Sequence, residues 1–164
     1  PVDLEAAGAT LRAVQMVGAM ERALDHALSH AGERRQFGRA IAKFQAVQHM
    51  LAEAAGHLAA ASAAADGAVA AWGSADMRLA AGIGKVRSGE AAGKVAAAAH
   101  QVLAAMGFTQ EHQLHYVTRR LWSWRDEFGG EAAWEAEIGR LACAGGGAAL
   151  WDMIVAASQP GPAG

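Results

Sequence analysis

Alanine-rich stretches with larger apolar residues at helical spacing are the feature that most constrains the fold of this chain. Alanine fills most of positions 59–71, and hydrophobic residues make up 53% of the sequence. Alanine has the highest helix propensity of the amino acids, whereas strands favour β-branched and aromatic residues. Only 6% of the residues are aromatic, and the sequence has no strand pattern. It therefore predicts an all-α protein.

The apolar periodicity predicts four long helices and one short helix. We expect helices over residues 3–31, 43–72, 76–106, 113–124 and 131–156. Asp3 is the expected N-cap of the first helix, and Gly107 is expected to end the third. Because short connections make consecutive helices antiparallel, we predict an up-and-down four-helix bundle with one extra short helix over residues 1–157. A disordered tail is expected over residues 158–164.

Charged residues and histidines on these helices are interpreted as ordinary surface or partly buried groups. Lys85 and Lys94, with the charged residues between them, are expected to form the solvated side of the third helix. His49 and His57 lie eight positions apart, which is two helical turns and too far to share a metal ion unaided. We therefore predict no metal site.

Charge and cysteine content exclude several classes of function. The net charge of -2 gives no electrostatic basis for binding nucleic acid or an anionic membrane surface. No apolar stretch reaches the roughly 20 residues needed to span a bilayer. The single cysteine, Cys143, excludes an intrachain disulfide and fits a reducing, cytoplasmic compartment. Because the sequence begins at Pro1 rather than Met, we expect a processed or truncated piece.

Residues 33–45, between the first two predicted helices, carry the densest cluster of functional groups. They include Arg34, Gln36, Phe37, Gly38 and Gln45. Arginine binds phosphate oxygens in bidentate fashion, and an aromatic ring can lie against a purine or pack into a core. The segment therefore suits a ligand that carries both a phosphate and an aromatic ring. The alternative interpretation is a basic turn between helices with a buried phenylalanine.

Two motifs resemble the acyl-CoA dehydrogenase family. The first is Arg34-x-x-Phe37-Gly38, followed by Phe44-Gln45 at the start of a helix. The second runs from Gln101 to Glu111 and is similar to that family's Gln-x-x-Gly-Gly-x-Gly-Tyr-x-x-Glu segment. The motifs occur in the family's order, one helical hairpin apart. The resemblance covers nearly the whole chain, but only about the last third of a typical member, its C-terminal all-α domain.

The resemblance implies a role in binding FAD and in forming oligomers. In the family this domain makes the subunit contacts and supplies groups to the FAD of an adjacent subunit. Arg34 matches an arginine that contacts the flavin pyrophosphate. Phe37 matches a phenylalanine that packs near the adenosine, and Gln36 occupies the polar position before that phenylalanine. Gln45 matches a glutamine that reaches the adenosine end, and Gln101 one that meets the diphosphate.

The chain departs from the family at two places. The family's Gly-Gly pair is replaced by Ala104-Ala105, and Ala105 keeps the backbone N–H expected to approach a phosphate but adds a methyl group. The family's general base is usually a glutamate before a glycine in the loop that precedes the last helix. The matched residue here is Phe128, and the minority position on the first helix corresponds to Gly8.

A carboxylate one residue before the matched position offers an alternative base. Glu127 is predicted to take the α-proton of the acyl thioester if the loop is shifted by one residue, since a base must come within hydrogen-bond reach of its proton. The competing interpretation is that Glu127 and Asp126 are solvated loop acids or cap the last helix.

Three functions remain open at the level of the sequence. The first is the C-terminal domain of an FAD-dependent acyl-CoA dehydrogenase, with the acyl-CoA substrate bound largely by other domains. The second is a non-catalytic partner subunit of a hetero-oligomeric dehydrogenase, which the missing glutamate favours. The third is a cofactor-free helical oligomerisation module. The combination of Arg34, Phe37, Gln45 and Gln101 argues against the third, because a scaffold does not need all four.

Overall fold

A computed structural model describes residues 3–157 of the chain, so the tail expected at 158–164 lies outside the described residues. The helices are α1 (Leu4–Glu33), α2 (Gln45–Ala70), α3 (Met77–Leu103), α4 (Leu114–Asp126), α5 (Glu131–Ala144) and α6 (Gly146–Ala157). Two short strands, β1 (Arg35–Gln36) and β2 (Arg39–Ala40), form an antiparallel pair. Single 3-10 turns cover Ile41–Lys43 and Ala104–Phe108.

Helices α1 to α4 form the predicted up-and-down bundle, but its fourth member is the short helix α4 rather than the last long helix that the sequence predicts. Asp3 caps α1 as expected, since its carboxylate accepts a hydrogen bond from the Ala6 N–H at 3.1 Å. Arg78, at the start of α3, pairs with Asp3 at 2.8 Å, so α1 and α3 begin at the same end of the bundle. His26, late in α1, contacts His112 just before α4. Helix α4 therefore starts at the opposite end and runs back.

Small side chains allow the helices to approach closely. The core consists largely of fully buried alanines, supplemented by Met16, Met20, Leu114 and Leu121. At Gly84 on α3, a Cβ atom would lie 3.1 Å from the Cβ of Ala68 and 3.2 Å from a backbone oxygen of α2. The alanine-rich stretch of α2 thus packs closely against α3. Larger residues there would force the two helices apart.

Two of the expected helices end elsewhere. The third helix was expected to reach residue 106, but α3 ends at Leu103, and the residue with a positive φ is Ala104 rather than Gly107. Gly107 is buried instead, and a Cβ there would lie 3.1 to 3.2 Å from Leu103, His100 and Leu114. The last helix is interrupted at the glycines after Ala144, and the two pieces, α5 and α6, meet at a bend of 117°.

The expectation that no strand is present was also wrong. Residues 35–40 form a β-hairpin whose strands are two residues long. Such strands are too short to produce an alternating pattern of apolar and polar residues, because that signal needs at least four positions.

Helices α5 and α6 lie outside the four-helix bundle. The indole of Trp134 on α5 is buried against α3, where a Cβ on Gly82 would come 2.8 Å from the ring. Arg78 links the three elements by pairing with Asp3 and Glu5 of α1 and with Glu137 of α5. Within residues 3–157, no single helix is long and apolar enough to cross a membrane, although the bent pair α5–α6 meets the length and composition criteria together.

Candidate functional site

The hairpin between α1 and α2 presents Phe37 on a tight turn. Phe37 has φ 50° and Gly38 has φ 79°, and a two-residue hairpin of the primed type requires positive φ at both positions. Glycine adopts this conformation freely, but for phenylalanine it costs on the order of 1–3 kcal/mol. The Phe37 side chain is 92% exposed. The ring is therefore not buried in the core of this chain, and the strain is not offset by burial there.

The base of the hairpin is hydrogen-bonded to α1, and its side chains pack against the ring of Phe44. The N–H of Arg34 donates to His30 at 2.9 Å, and its carbonyl oxygen accepts from the N–H of Ile41 at 2.8 Å. The Arg39 guanidinium lies 4.2 Å from the centroid of the Phe44 ring, and Phe37 meets the same ring edge-on at 6.2 Å. The Arg34 side chain is exposed. The exposed guanidinium of Arg34 and the exposed ring of Phe37 thus lie on a turn held by hydrogen bonds.

The amide side chains predicted to bind the cofactor lie at the same end of the bundle. Gln45 opens α2, immediately after the hairpin, and is exposed. Gln101 lies in the last turn of α3 and is also exposed. Gln101 lines a shallow groove of about 310 Å³ between α2 and α3, together with Met50, Glu53, Ala54, His57, Lys94, Ala97 and Ala98.

The turn after α3 carries an unusual backbone conformation at Ala104. Its angles are φ 50° and ψ -134°, in a region that glycine adopts and alanine rarely does. Ala105 lies within the 3-10 turn and has no positive φ. The strained position is therefore one residue earlier than the one singled out from the sequence.

Three non-glycine residues have a positive φ among residues 3–157, and each falls in a segment selected from the sequence. They are Phe37, Ala104 and Phe128. Backbone strain of this kind is most often retained at functional sites.

The loop after α4, which contains Phe128, also holds Glu127 among several hydrogen-bond donors. Arg12 of α1 donates from Nε to Oε2 of Glu127 at 2.7 Å, and a second guanidinium nitrogen contacts the same oxygen. The hydroxyl of Ser123 donates to the other carboxylate oxygen at 3.1 Å. The Arg12 guanidinium also lies 5.5 Å from the Trp124 ring centroid and 5.8 Å from that of Phe128. Both oxygens of Glu127 thus already accept hydrogen bonds.

The two positions that resemble the family's base positions are in direct contact. A Cβ atom on Gly8 would overlap ring atoms Cγ, Cδ1 and Cε1 of Phe128. The aromatic ring therefore occupies the space next to α1, and Phe128 holds a φ of 56° to put it there.

The predicted cofactor residues and the predicted base lie at opposite ends of the bundle. Arg34 follows Arg12, the partner of Glu127, by 22 positions in α1. At a rise of 1.5 Å per residue this is about 33 Å. One end of the bundle therefore carries the hairpin, Gln45 and Gln101, and the other end carries Glu127 and Phe128.

Lys85 was expected on the solvated side of its helix, and this was wrong. Its side chain is only 1% exposed, and its ammonium donates to the carbonyl oxygens of Arg125 at 2.6 Å and Gly129 at 2.7 Å. Burial lowers the pKa of the Lys85 ammonium. This burial has no signal in the local sequence, because the acceptors are backbone atoms 40 and 44 positions away.

Among residues 3–157, no three histidine, cysteine or acidic side chains are grouped so that they could hold a metal ion. His57 pairs only loosely with Glu53, at 3.8 Å, and His49 is exposed.

Comparison with known proteins gives a consistent result. The family described as "Acyl-CoA dehydrogenase, C-terminal domain" matches residues 6–125. The chain is 32% identical over 145 residues to the acyl-CoA dehydrogenase FadE34 of Mycobacterium tuberculosis, covering 87% of this chain and 20% of that protein.

Solved structures have the same fold. A glutaryl-coenzyme A dehydrogenase in complex with glutaryl-CoA aligns with a TM-score of 0.75 at 28% identity, over 84% of this chain and 36% of that one. A chain of the ChsE4-ChsE5 complex from Mycobacterium tuberculosis aligns with a TM-score of 0.81 over 85% of this chain and 39% of that one. Its 23% identity shows the fold alone. The chain spans 20 to 39% of the length of these three proteins.

Proposed function

Since the chain belongs to the acyl-CoA dehydrogenase family, as its C-terminal all-α domain, we propose that it completes the FAD site of an adjacent subunit and joins the subunits. The complete assembly would dehydrogenate acyl-CoA thioesters between the α and β carbons, with FAD as the hydride acceptor. Acyl-CoA would be bound largely by other domains of that assembly.

The exposed, strained turn at Phe37 is the observation that carries this proposal. A phenylalanine held in a left-handed conformation and left 92% exposed would be accounted for by a partner outside its own chain. Arg34 offers a guanidinium fork to a phosphate, and Phe37 offers a ring face to adenosine. Exposed amides at Gln36, Gln45 and Gln101 can donate to phosphate or ribose oxygens.

These groups fit FAD in chemistry as well as in exposure. The hairpin is rich in cations, with Arg34, Arg35 and Arg39 within six positions. Such a surface suits the doubly charged diphosphate, since charge-assisted hydrogen bonds are about twice as strong as neutral ones. The N–H of Ala105 is a further candidate donor, because the residue keeps the helical-type backbone of the 3-10 turn.

Flavin content of the intact assembly tests the proposal. We expect Arg34→Ala to lower the affinity for FAD by about 10- to 100-fold, the range of 1.5–3 kcal/mol for a lost hydrogen bond to a charged group. Arg22→Ala is the matched control, since Arg22 is exposed on α1 away from the hairpin. Full flavin affinity in the Arg34→Ala assembly would contradict the site assignment and support a cofactor-free scaffold.

The contact between Gly8 and Phe128 favours a second function, that of a non-catalytic partner subunit. Neither position carries a carboxylate, and the Phe128 ring fills the space beside α1. In such an assembly this chain would complete the flavin site of a second, different chain that carries the base. The distance of about 33 Å along α1 between Arg12 and Arg34 is compatible with an assembly in which this chain binds FAD and another chain supplies the base.

Glu127 decides between the two functions. If Glu127 is the base, Glu127→Gln should lower acyl-CoA-dependent flavin reduction by orders of magnitude, because the amide cannot accept the α-proton. Arg12→Gln is the matched comparison, since it removes the ion pair with Glu127 but keeps the Glu127 carboxylate. An unchanged reduction rate in Glu127→Gln supports the partner subunit, with Glu127 serving only to bind Arg12.

A further inference from the structure

The loop between α4 and α5 is held by a buried cation. Lys85 projects from α3, and its Nζ lies 2.6 Å from the carbonyl oxygen of Arg125 and 2.7 Å from that of Gly129. The Arg125 carbonyl belongs to the last turn of α4, where carbonyl groups lack helical partners and the helix dipole attracts positive charge. One ammonium therefore joins the end of the helix to the far side of the loop.

A second donor binds the carbonyl of Phe128, one of the three residues between Arg125 and Gly129. The indole Nε1 of Trp134 donates to the carbonyl oxygen of Phe128 at 2.8 Å. A Cβ on Gly129 would lie 2.7 Å from the same nitrogen, so the loop and the indole are in close contact. Arg125 and Glu131, on either side of the loop, form an ion pair at 2.5 Å.

These bonds hold a conformation that the backbone does not favour. Phe128 has φ 56° and Gly129 has φ 89°. A left-handed phenylalanine persists only when its surroundings impose it. The three carbonyl acceptors, at residues 125, 128 and 129, provide that restraint, and two of the three bonds come from Lys85.

We propose that Lys85 is a positioning residue, whose buried ammonium holds the 126–130 loop so that Phe128 lies on Gly8 and Glu127 on Arg12. Its ammonium bonds to the backbone carbonyls of Arg125 and Gly129, so it acts through the backbone of the loop. Its effect is to fix which side chain faces the position that carries the base in related proteins. The importance of this side chain for catalysis rests on the proposed function. The control of loop conformation by Lys85 does not depend on that function.

Amide hydrogen exchange in the intact protein tests this control directly. We expect Lys85→Met, which keeps the length of the side chain, to lower loop protection, measured at amides 133 and 134, which donate to the carbonyl oxygen of Gly130, by about 10- to 100-fold, because two hydrogen bonds from a charged donor to the loop are lost. Protection in the middle of α2 should stay within twofold of the unsubstituted protein. Lys94→Met, an exposed lysine on the same helix, is the control and should leave the loop unchanged.

A pH series separates this role from a general loss of stability. Charged groups that act on Lys85 are Glu131, Asp126 and Glu127, which favour its charge, and Arg125, which opposes it. Burial outweighs them and lowers the pKa of Lys85, so an opened loop binds more protons than the closed loop. Loop protection, corrected for the intrinsic exchange rate, should therefore rise as the pH is raised toward the usual range of lysine titration, since the neutral amine keeps two N–H donors for the two carbonyls. The rise should be absent in Lys85→Met, which has no titrating group at this position.

A tryptophan variant keeps the proposal testable if Lys85→Met does not fold. Trp134→Phe removes the single bond to Phe128 and should loosen the loop by a smaller factor while the pH-dependent rise of loop protection remains. Three results would overturn the proposal: unchanged loop protection in Lys85→Met, an equal loss in all helices, or no loop-specific change with pH in the unsubstituted protein. Failure of flavin binding in the intact assembly would affect the proposed function and leave these results intact.

Discussion

The ring of Phe128 packs directly on the backbone of Gly8, and each residue depends on the identity of the other. A methyl group at position 8 would overlap three atoms of the ring. Phe128 reaches this place through a left-handed backbone conformation, which Lys85 and Trp134 hold from behind. The pair occupies the two positions that resemble the family's base positions.

We predict that Gly8→Ala destabilises the chain by about 2 kcal/mol, the usual cost of overfilling a packed site. In a Phe128→Ala background the same change should stabilise by about 0.5–1 kcal/mol, because alanine replaces glycine in a helix. Urea denaturation of the four proteins gives the coupling energy. Gly18→Ala is the control, since a Cβ there meets no described atom within 4 Å, and it should be stabilising. A coupling energy near zero would mean that the ring moves away without cost.

Ala104→Gly should stabilise the protein by about 1 kcal/mol. Alanine at φ 50°, ψ -134° bears strain that glycine does not, and this gain exceeds the entropy that glycine adds to the unfolded chain. Ala105→Gly, in the ordinary conformation next to it, should instead destabilise by about 0.5–1 kcal/mol. Denaturation midpoints of the two variants measure the contrast. Equal effects would show that the strain at position 104 is relieved in solution.

Acid should destabilise the fold through His26. Burial lowers the pKa of its imidazole, and the neighbouring charges of Arg22 and His112 lower it further against the opposing effect of Asp25. Its Nε2 is buried and has no hydrogen-bond partner among the described residues. A lowered pKa means that the unfolded chain binds more protons than the folded chain. The contribution of His26 is therefore intact above the ordinary histidine pKa of about 6.5 and is lost as the pH falls through the lower, folded value.

The free energy of unfolding should consequently rise from pH 5 to pH 7. His26→Gln should flatten this rise, and His49→Gln, on the exposed side of α2, should not. His30 and His100 also have a lowered pKa because of burial, so part of the slope should remain in His26→Gln. A slope identical to that of the unsubstituted protein would exclude His26 as a contributor.

The predictable features are those set by local sequence. Helical periodicity identified the bundle, Asp3 identified a cap, and the two motifs identified the segments that contain Phe37 and Ala104. The burial of Lys85 was not predictable, because its acceptors are backbone carbonyls 40 and 44 positions away. The hairpin was missed because its strands are two residues long and because Phe-Gly replaces the usual Asn-Gly at its turn. The first error concerns tertiary context, whereas the second concerns a local pattern too short to detect.

Phe37 should show a trade between stability and cofactor binding. Asparagine adopts the left-handed conformation more readily than phenylalanine and is preferred at the first position of this turn, so Phe37→Asn should stabilise the chain by about 1 kcal/mol. The same change removes the exposed ring proposed to lie against adenosine, so FAD affinity of the intact assembly should fall by about tenfold. Denaturation and flavin titration measure the two effects separately. A gain in stability without loss of FAD affinity would mean that the ring serves another partner, whereas a loss of stability would mean that the ring packs against a surface formed only in the assembly.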